Sequence, residues 1–169
     1  GMGGVGKTTL ANLVFYKISH HFELRCFLSN ARSMQVSDLQ GQLLSQILCQ
    51  TINRVCDERD GTVFINIVLG NKKVRLILDD VYHLHQLEIL ARDKISFDVE
   101  SKIIITARDK GLLVPHDMTT YNGHVLKDDD CLDLFCRDAF NKDQPEECFQ
   151  DLSPHFLYYA KGLPLALKV

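Results

Sequence analysis

The chain opens on Gly1-Met2-Gly3-Gly4-Val5-Gly6-Lys7-Thr8, a G-x-x-x-x-G-K-[ST] string, and no other feature limits its fold so tightly. Glycines let the backbone take positive φ, so that consecutive N–H groups turn inward as a nest for anionic oxygens. Lys7 at the end of such a loop reaches the β and γ phosphates of a nucleotide, and the Thr8 hydroxyl is placed to hold Mg²⁺. A helix must follow, because its N-terminal N–H groups and dipole complete the anion site. Leu10, Ala11, Val14 and Ile18 form one apolar face of that helix, which runs to about Ser19. A glycine turn before a helix uses the same residues without any ligand, so the string needs a second feature to support it.

Val74-Arg75-Leu76-Ile77-Leu78-Asp79-Asp80-Val81 provides one. An apolar run ending in carboxylates reads as a buried parallel strand whose C-terminal tip faces a ligand crevice. Asp79 is placed to orient Mg²⁺ or its waters, and Asp80, one residue further on, to polarise an attacking water. On its own such a run is a strand followed by a helix cap. After a phosphate-binding loop in the same chain it is the second half of a nucleotide site.

The intervening residues refine the fold. Arg25 to Asn30 is a short strand, and Val36, Leu39, Leu43, Leu44, Ile47 and Leu48 have helical period. An extra strand between loop and acidic strand fits the additional-strand branch of the P-loop NTPases, the STAND and AAA-like group. Ser101-Lys102-Ile103-Ile104-Ile105-Thr106-Ala107-Arg108-Asp109 reads as another buried strand, delivering Thr106 and Arg108 to the same sheet edge. The planar fork of Arg108 suits a terminal phosphate present only in the triphosphate, although a solvated charge after a strand looks the same. The loop ordinarily follows a strand, and the sequence begins at the loop. The expected fold is therefore an α/β parallel sheet lacking its first, central strand.

The last third turns helical. Asp128, Asp129 and Asp130 read as N-terminal caps and dipole partners of a helix with an apolar face of Cys131, Leu132, Phe135, Cys136, Ala139 and Phe140. A second helix starts with Ser153 as its cap and Pro154 in its first turn, and ends at Gly162. Pro164 is either a simple helix stop or a rigid apolar face for a base.

Composition narrows function by exclusion. A net charge of -3 leaves no basic field for nucleic acid phosphates, and no apolar run reaches the length of a membrane span. The 6 cysteines form no C-x-x-C pair, and most fall on apolar stripes, which suits small buried thiols in a reducing cytoplasm. His20, His21, His83, His85, His116, His124 and His155 have no metal spacing or nucleophile partner and read as surface or packing residues.

The order GMGGVGKTT (residues 1–9), LILDDV (76–81), SKIIITARDK (101–110), LKDDDCLDLFCRDAF (126–140) and GLPLAL (162–167) resembles the NB-ARC domain of plant NLR disease-resistance proteins. FLSNAR (27–32) and Arg108-Asp109-Lys110 look like the TIR-linked class, and the sequence has no Trp after LDDV, where the coiled-coil class usually carries one. Two positions depart from the pattern. Tyr82 stands where the TIR-linked class usually has Asp or Asn, and Ala107 stands where the family more often shows Thr.

The resemblance implies a division into a nucleotide-binding domain over residues 1–126 and the start of a helical ARC subdomain over 127–169. It implies that Gly3, Gly4, Val5, Gly6, Lys7, Thr8 and Thr9 bind phosphates of ADP or ATP, and that Thr8 and Asp79 serve Mg²⁺. Asp80 then assists hydrolysis, Arg108 reads the γ-phosphate, and Pro164 packs against the adenine. The implied function is an ADP/ATP switch in an immune receptor, at most a slow ATPase. Its expected partners are the TIR and leucine-rich-repeat regions of the parent protein, with self-association on activation. A turnover ATPase uses the same residues, and a decayed paralogue keeps the motifs without binding. A guanine site is disfavoured, since Asn71-Lys72-Lys73-Val74 and Asn141-Lys142-Asp143-Gln144 both lack the Asp of Asn-Lys-x-Asp.

Overall fold

The computed structural model describes residues 1–17, 22–52, 54–91, 97–113, 118–145 and 147–168. Ile18, Ser19, His20, His21 and His116, all assigned roles above, lie outside them. The elements are α1 (Lys7–Lys17), β1 (Leu24–Leu28), α2 (Val36–Leu48), α3 (Glu58–Leu69), β2 (Val74–Val81), α4 (Leu84–Leu90), β3 (Lys102–Ala107), α5 (Asp128–Phe140) and α6 (Ser153–Ala160). Short 3₁₀ turns occupy Ala31–Ser33, Glu147–Phe149 and Pro164–Ala166. The chain forms two compact units: Thr8–Met118, and Gly1–Lys7 together with Thr119–Val169.

In the Thr8–Met118 unit, three parallel strands lie in the order β1-β2-β3. A central parallel strand is covered on both faces, which is why β2 reads as a nearly unbroken apolar run and buries all of Val74–Asp79. Alternation sends Val74, Leu76 and Leu78 into the main core with Leu39, Leu43, Ile65, Leu69, Leu87 and Leu90. Arg75, Ile77 and Asp79 point to the opposite face, where Arg75 and Asp79 both bond α1. The helix α1 departs from its expected face in one respect: Ala11 is buried, but Leu10 is exposed. Leu10 sits about 100° round the helix from Ala11, at the edge of the stripe.

Helices α3 and α4 were not anticipated. Asp57 caps α3 by accepting N–H groups from Arg59 and Asp60 at 2.7 and 3.2 Å. A buried Gln40 joins α2 to α3, its Nε2 donating to the Glu58 carbonyl at 2.9 Å and the Thr62 hydroxyl at 3.0 Å.

In the other unit, α5 and α6 close a small core of Cys131, Phe135, Cys136, Ala160 and Leu167. The capping expectations here need correction. Lys127 is the N-cap of α5, and Asp128, Asp129 and Asp130 lie inside its first turn, where they act on the helix dipole only. Leu152, not Ser153, precedes α6, and the Ser153 hydroxyl donates back to the Phe149 carbonyl. The helix ends at Ala160, and Gly162 follows at φ +74°, where a Cβ would come within 2.6 Å of the Leu126 carbonyl oxygen.

The cysteine expectation holds in part. Cys26, Cys131 and Cys136 are buried, and burial pushes the Cys26 thiol up to about 12. Cys49 and Cys56 are exposed, because they flank the α2–α3 loop rather than an apolar stripe. The Cys148 side chain lies outside the described residues. Among those residues no helix is long and apolar enough to cross a membrane.

Leu76 sits at the centre of the sheet with no exposed surface. Leu76→Ala should cost about 2–5 kcal/mol, the usual range for a buried leucine. Urea unfolding checks this, and an unchanged midpoint would contradict the packing described.

Candidate functional site

The geometry that matters begins with a miscount between β2 and β3. Leu78 pairs with Ile105, and the next pair is Val81 with Ala107, so three steps along β2 match two along β3. The extra residue makes a bulge at the strand tip, and Asp80 within it has φ +55°. Asp is one of the few non-glycine residues that visits this left-handed region. Taken out of the ladder, the Asp80 N–H donates instead to the Thr106 hydroxyl at 2.8 Å.

Thr106 in turn donates to Asp79 Oδ1 at 2.7 Å. The Thr8 hydroxyl, in the first turn of α1, lies 2.9 and 3.0 Å from the two Asp79 oxygens. Asp79 is 4% exposed, and among the described residues no basic side chain pairs with it. A buried carboxylate served only by hydroxyls still has capacity for a cation. Hard oxygen ligands suit Mg²⁺, so Thr8 and Asp79 are of the type that would hold that ion.

Asp80 has the opposite surroundings. Its Oδ2 takes Arg32 Nε at 3.1 Å and Arg108 Nη2 at 3.3 Å, while Oδ1 takes Arg108 Nε at 3.2 Å. Two guanidinium groups thus share one carboxylate. Arg32 also lies over the Tyr82 ring, 4.4 Å from its centroid. Arg32, part of FLSNAR in the sequence, lies in the 3₁₀ turn that follows β1, and because β1 runs parallel to β2 that turn lies where Arg32 can reach the tip of β2.

Sequence reasoning also passed over Arg75. It is 2% exposed, donates from Nη1 to the Val14 carbonyl at 3.3 Å, and stacks on Phe22 at 4.6 Å. Burial lowers its pKa. Val14 is within the last turn of α1, whose carbonyls have no helical partner, so a cation there is favourable.

In the unit that holds Gly1–Lys7, the loop residues Gly3, Gly4, Val5 and Gly6 precede α1, with Gly4 and Gly6 at φ +82° and +85°. The Lys7 ammonium donates to the carbonyls of Gly1 and Met2 at 3.1 and 2.7 Å. Thr9 is exposed in the first turn of α1. The Leu165 N–H donates to the Gly4 carbonyl at 3.2 Å, which brings the turn carrying Pro164 onto the loop. A Cβ on Gly4 would stand 2.9 Å from Leu165 Cβ. Gly4→Ala therefore combines a clash with a left-handed conformation that alone costs about 1–2 kcal/mol. A lowered melting temperature is expected, and an unaltered one would contradict this contact.

Comparison with known proteins gives the family. The NB-ARC domain family matches residues 1–145. The chain is 42% identical over its whole length to TMV resistance protein N of Nicotiana glutinosa, 38% to disease resistance protein RUN1 of Vitis rotundifolia and 36% to disease resistance protein RML1B of Arabidopsis thaliana. It spans only 15%, 13% and 17% of those relatives. The phosphate-loop string, the acidic strand and the extra parallel strand thus occur together in a chain that belongs to the NB-ARC domain family of plant disease-resistance proteins.

Proposed function

We propose that the chain is an ADP/ATP-binding switch module of a TIR-linked plant immune receptor. The observation that carries this reading is the bond between Thr8 and Asp79, which joins the hydroxyl of the Gly-Lys-Thr string to the buried acid at the strand tip. In this reading Gly3, Gly4, Val5, Gly6, Lys7, Thr8 and Thr9 hold the phosphates, and Thr8 and Asp79 serve Mg²⁺. Pro164 packs against the adenine, and Arg108 reads the terminal phosphate. Bound magnesium would neutralise phosphate charge and fix the phosphate oxygens. Residues 1–126 form the nucleotide-binding part, and 127–169 begin a helical subdomain. The reading also places the parent in the cytoplasm, with TIR and leucine-rich-repeat regions in the same chain and self-association on activation.

A switch is favoured over a turnover enzyme by the surroundings of Asp80. Both Asp80 oxygens are engaged by guanidinium groups, so an attacking water must displace one of these groups to be oriented by the carboxylate. Hydrolysis requires Arg108 to leave it first, so turnover is slow and the bound nucleotide sets the conformation. The nucleotide acts by its differential affinity for two states, not by affinity as such.

Two substitutions separate these roles. Lys7→Ala should abolish ADP retention, because the ammonium neutralises the β-phosphate; copurification of ADP with that variant would refute the loop's role. Asp80→Ala should retain ADP and hydrolyse ATP about a hundredfold more slowly, at the low end of the usual range for loss of a general base. Equal phosphate release by variant and parent sequence would remove Asp80 from the chemistry.

A further inference from the structure

Asp80 has two arginine partners, and the structure does not treat them alike. Arg32 stands in a rigid setting. Its neighbours Ala31 and Met34 both give their carbonyls to the Gln86 amide, at 2.7 and 3.1 Å, and Gln86 is 2% exposed. The Gln86 Oε1 accepts the N–H groups of Tyr82 and His83 at 3.3 Å each. One buried amide therefore ties the turn bearing Arg32 to the segment bearing Tyr82, and the Tyr82 ring then carries the Arg32 guanidinium. The Arg32 side chain is 34% exposed, while that of Arg108, one residue past the end of β3, is 53% exposed. Asp80, at 19%, sits between them.

We infer that Arg32 is the fixed counter-charge of Asp80 and Arg108 the exchangeable one, so that Arg32 is a positioning residue that sets the preference between nucleoside triphosphate and diphosphate. The inference rests on the reading of Arg108 as the group that contacts the terminal phosphate. When Arg108 moves to that phosphate, it abandons a largely buried carboxylate. Leaving such a charge without a partner is costly. Arg32 keeps Asp80 paired through Oδ2 during the exchange and holds the carboxylate in place while Oδ1 is released. No covalent bond is made or broken in this step; one ion pair is exchanged for another. The Tyr82 ring supports the device by orienting a planar cation, as a flexible lysine stem could not be oriented.

The test is calorimetric titration of the 169-residue chain and its variants with MgATP and with MgADP. Arg32→Ala should weaken ATP relative to ADP by about tenfold, an ordinary magnitude for coupling between neighbouring sites, with ADP affinity little changed. In an Asp80→Asn background, where no carboxylate charge is left to strand, the same substitution should leave the ATP-to-ADP ratio where Asp80→Asn alone puts it. A purely structural role for Arg32 would weaken both nucleotides equally and would do so in either background, and that result overturns the inference. If Arg32→Ala melts below the assay temperature, Arg32→Gln, which removes the charge but keeps a longer polar side chain, is read in the same way. Arg108→Ala distinguishes the two levels of the argument. An ATP-to-ADP ratio unaffected by Arg108→Ala sinks the terminal-phosphate reading itself. A ratio sensitive to Arg108→Ala but not to Arg32→Ala sinks only the assignment of Arg32.

Discussion

The single extra residue at the tip of β2 organises the rest of the site. Without it, the β2–β3 ladder would continue and the Asp80 N–H would be spent on a strand carbonyl. With it, Asp80 adopts a left-handed conformation costing about 1–2 kcal/mol, a strain offset by the Thr106 hydroxyl and by two guanidinium groups. Thr106 is the pivot, because the same oxygen that accepts from Asp80 donates to Asp79. Two adjacent carboxylates are thereby given contrasting surroundings, one served by hydroxyls and suited to a cation, the other saturated by cations.

The helix α1 is held against β2 near both ends. Thr8 bonds Asp79 in its first turn, and the Val14 carbonyl accepts from Arg75 near its last. These acceptor and donor residues are four apart on one strand face, so the strand's own period dictates the spacing of the two ties. Between them on α1, Ala11 is buried. A helix fixed in this way delivers its N-terminal turn, including Thr8, to a constant position over the acidic strand tip.

Much of this was legible in the residues. The loop string, the β2 run and the β3 run each carry a local signature, and the structure has a strand or helix where each was read. The helix α3 escaped notice for a physical reason: its buried face is Gly61, Thr62, Ile65 and Leu69, while Val63, Phe64 and Ile67 are exposed, so the buried stripe does not coincide with the apolar residues. Asp57, three residues before Asp60, was the overlooked capping signal. The helix α4 has only 7 residues, too few for a period to emerge. The left-handed Asp80 and the pairing of Arg32 with it could not be read, because a bulge breaks the alternation on which strand reading depends and an ion pair 48 residues apart leaves no local trace. Arg75 carries no signal in the sequence beyond a charge in an apolar strand, since its partner is a backbone carbonyl, invisible in any side-chain pattern.

The central claim is that the hydroxyl and carboxylate pair of Thr8 and Asp79 marks a magnesium-assisted nucleotide site. The most direct measurement is titration of the unaltered chain with ADP, in magnesium and again in a chelator of divalent cations. The account predicts saturable binding of one nucleotide per chain, weakened when magnesium is withdrawn. No saturable binding by a folded chain, or binding indifferent to magnesium, would contradict it.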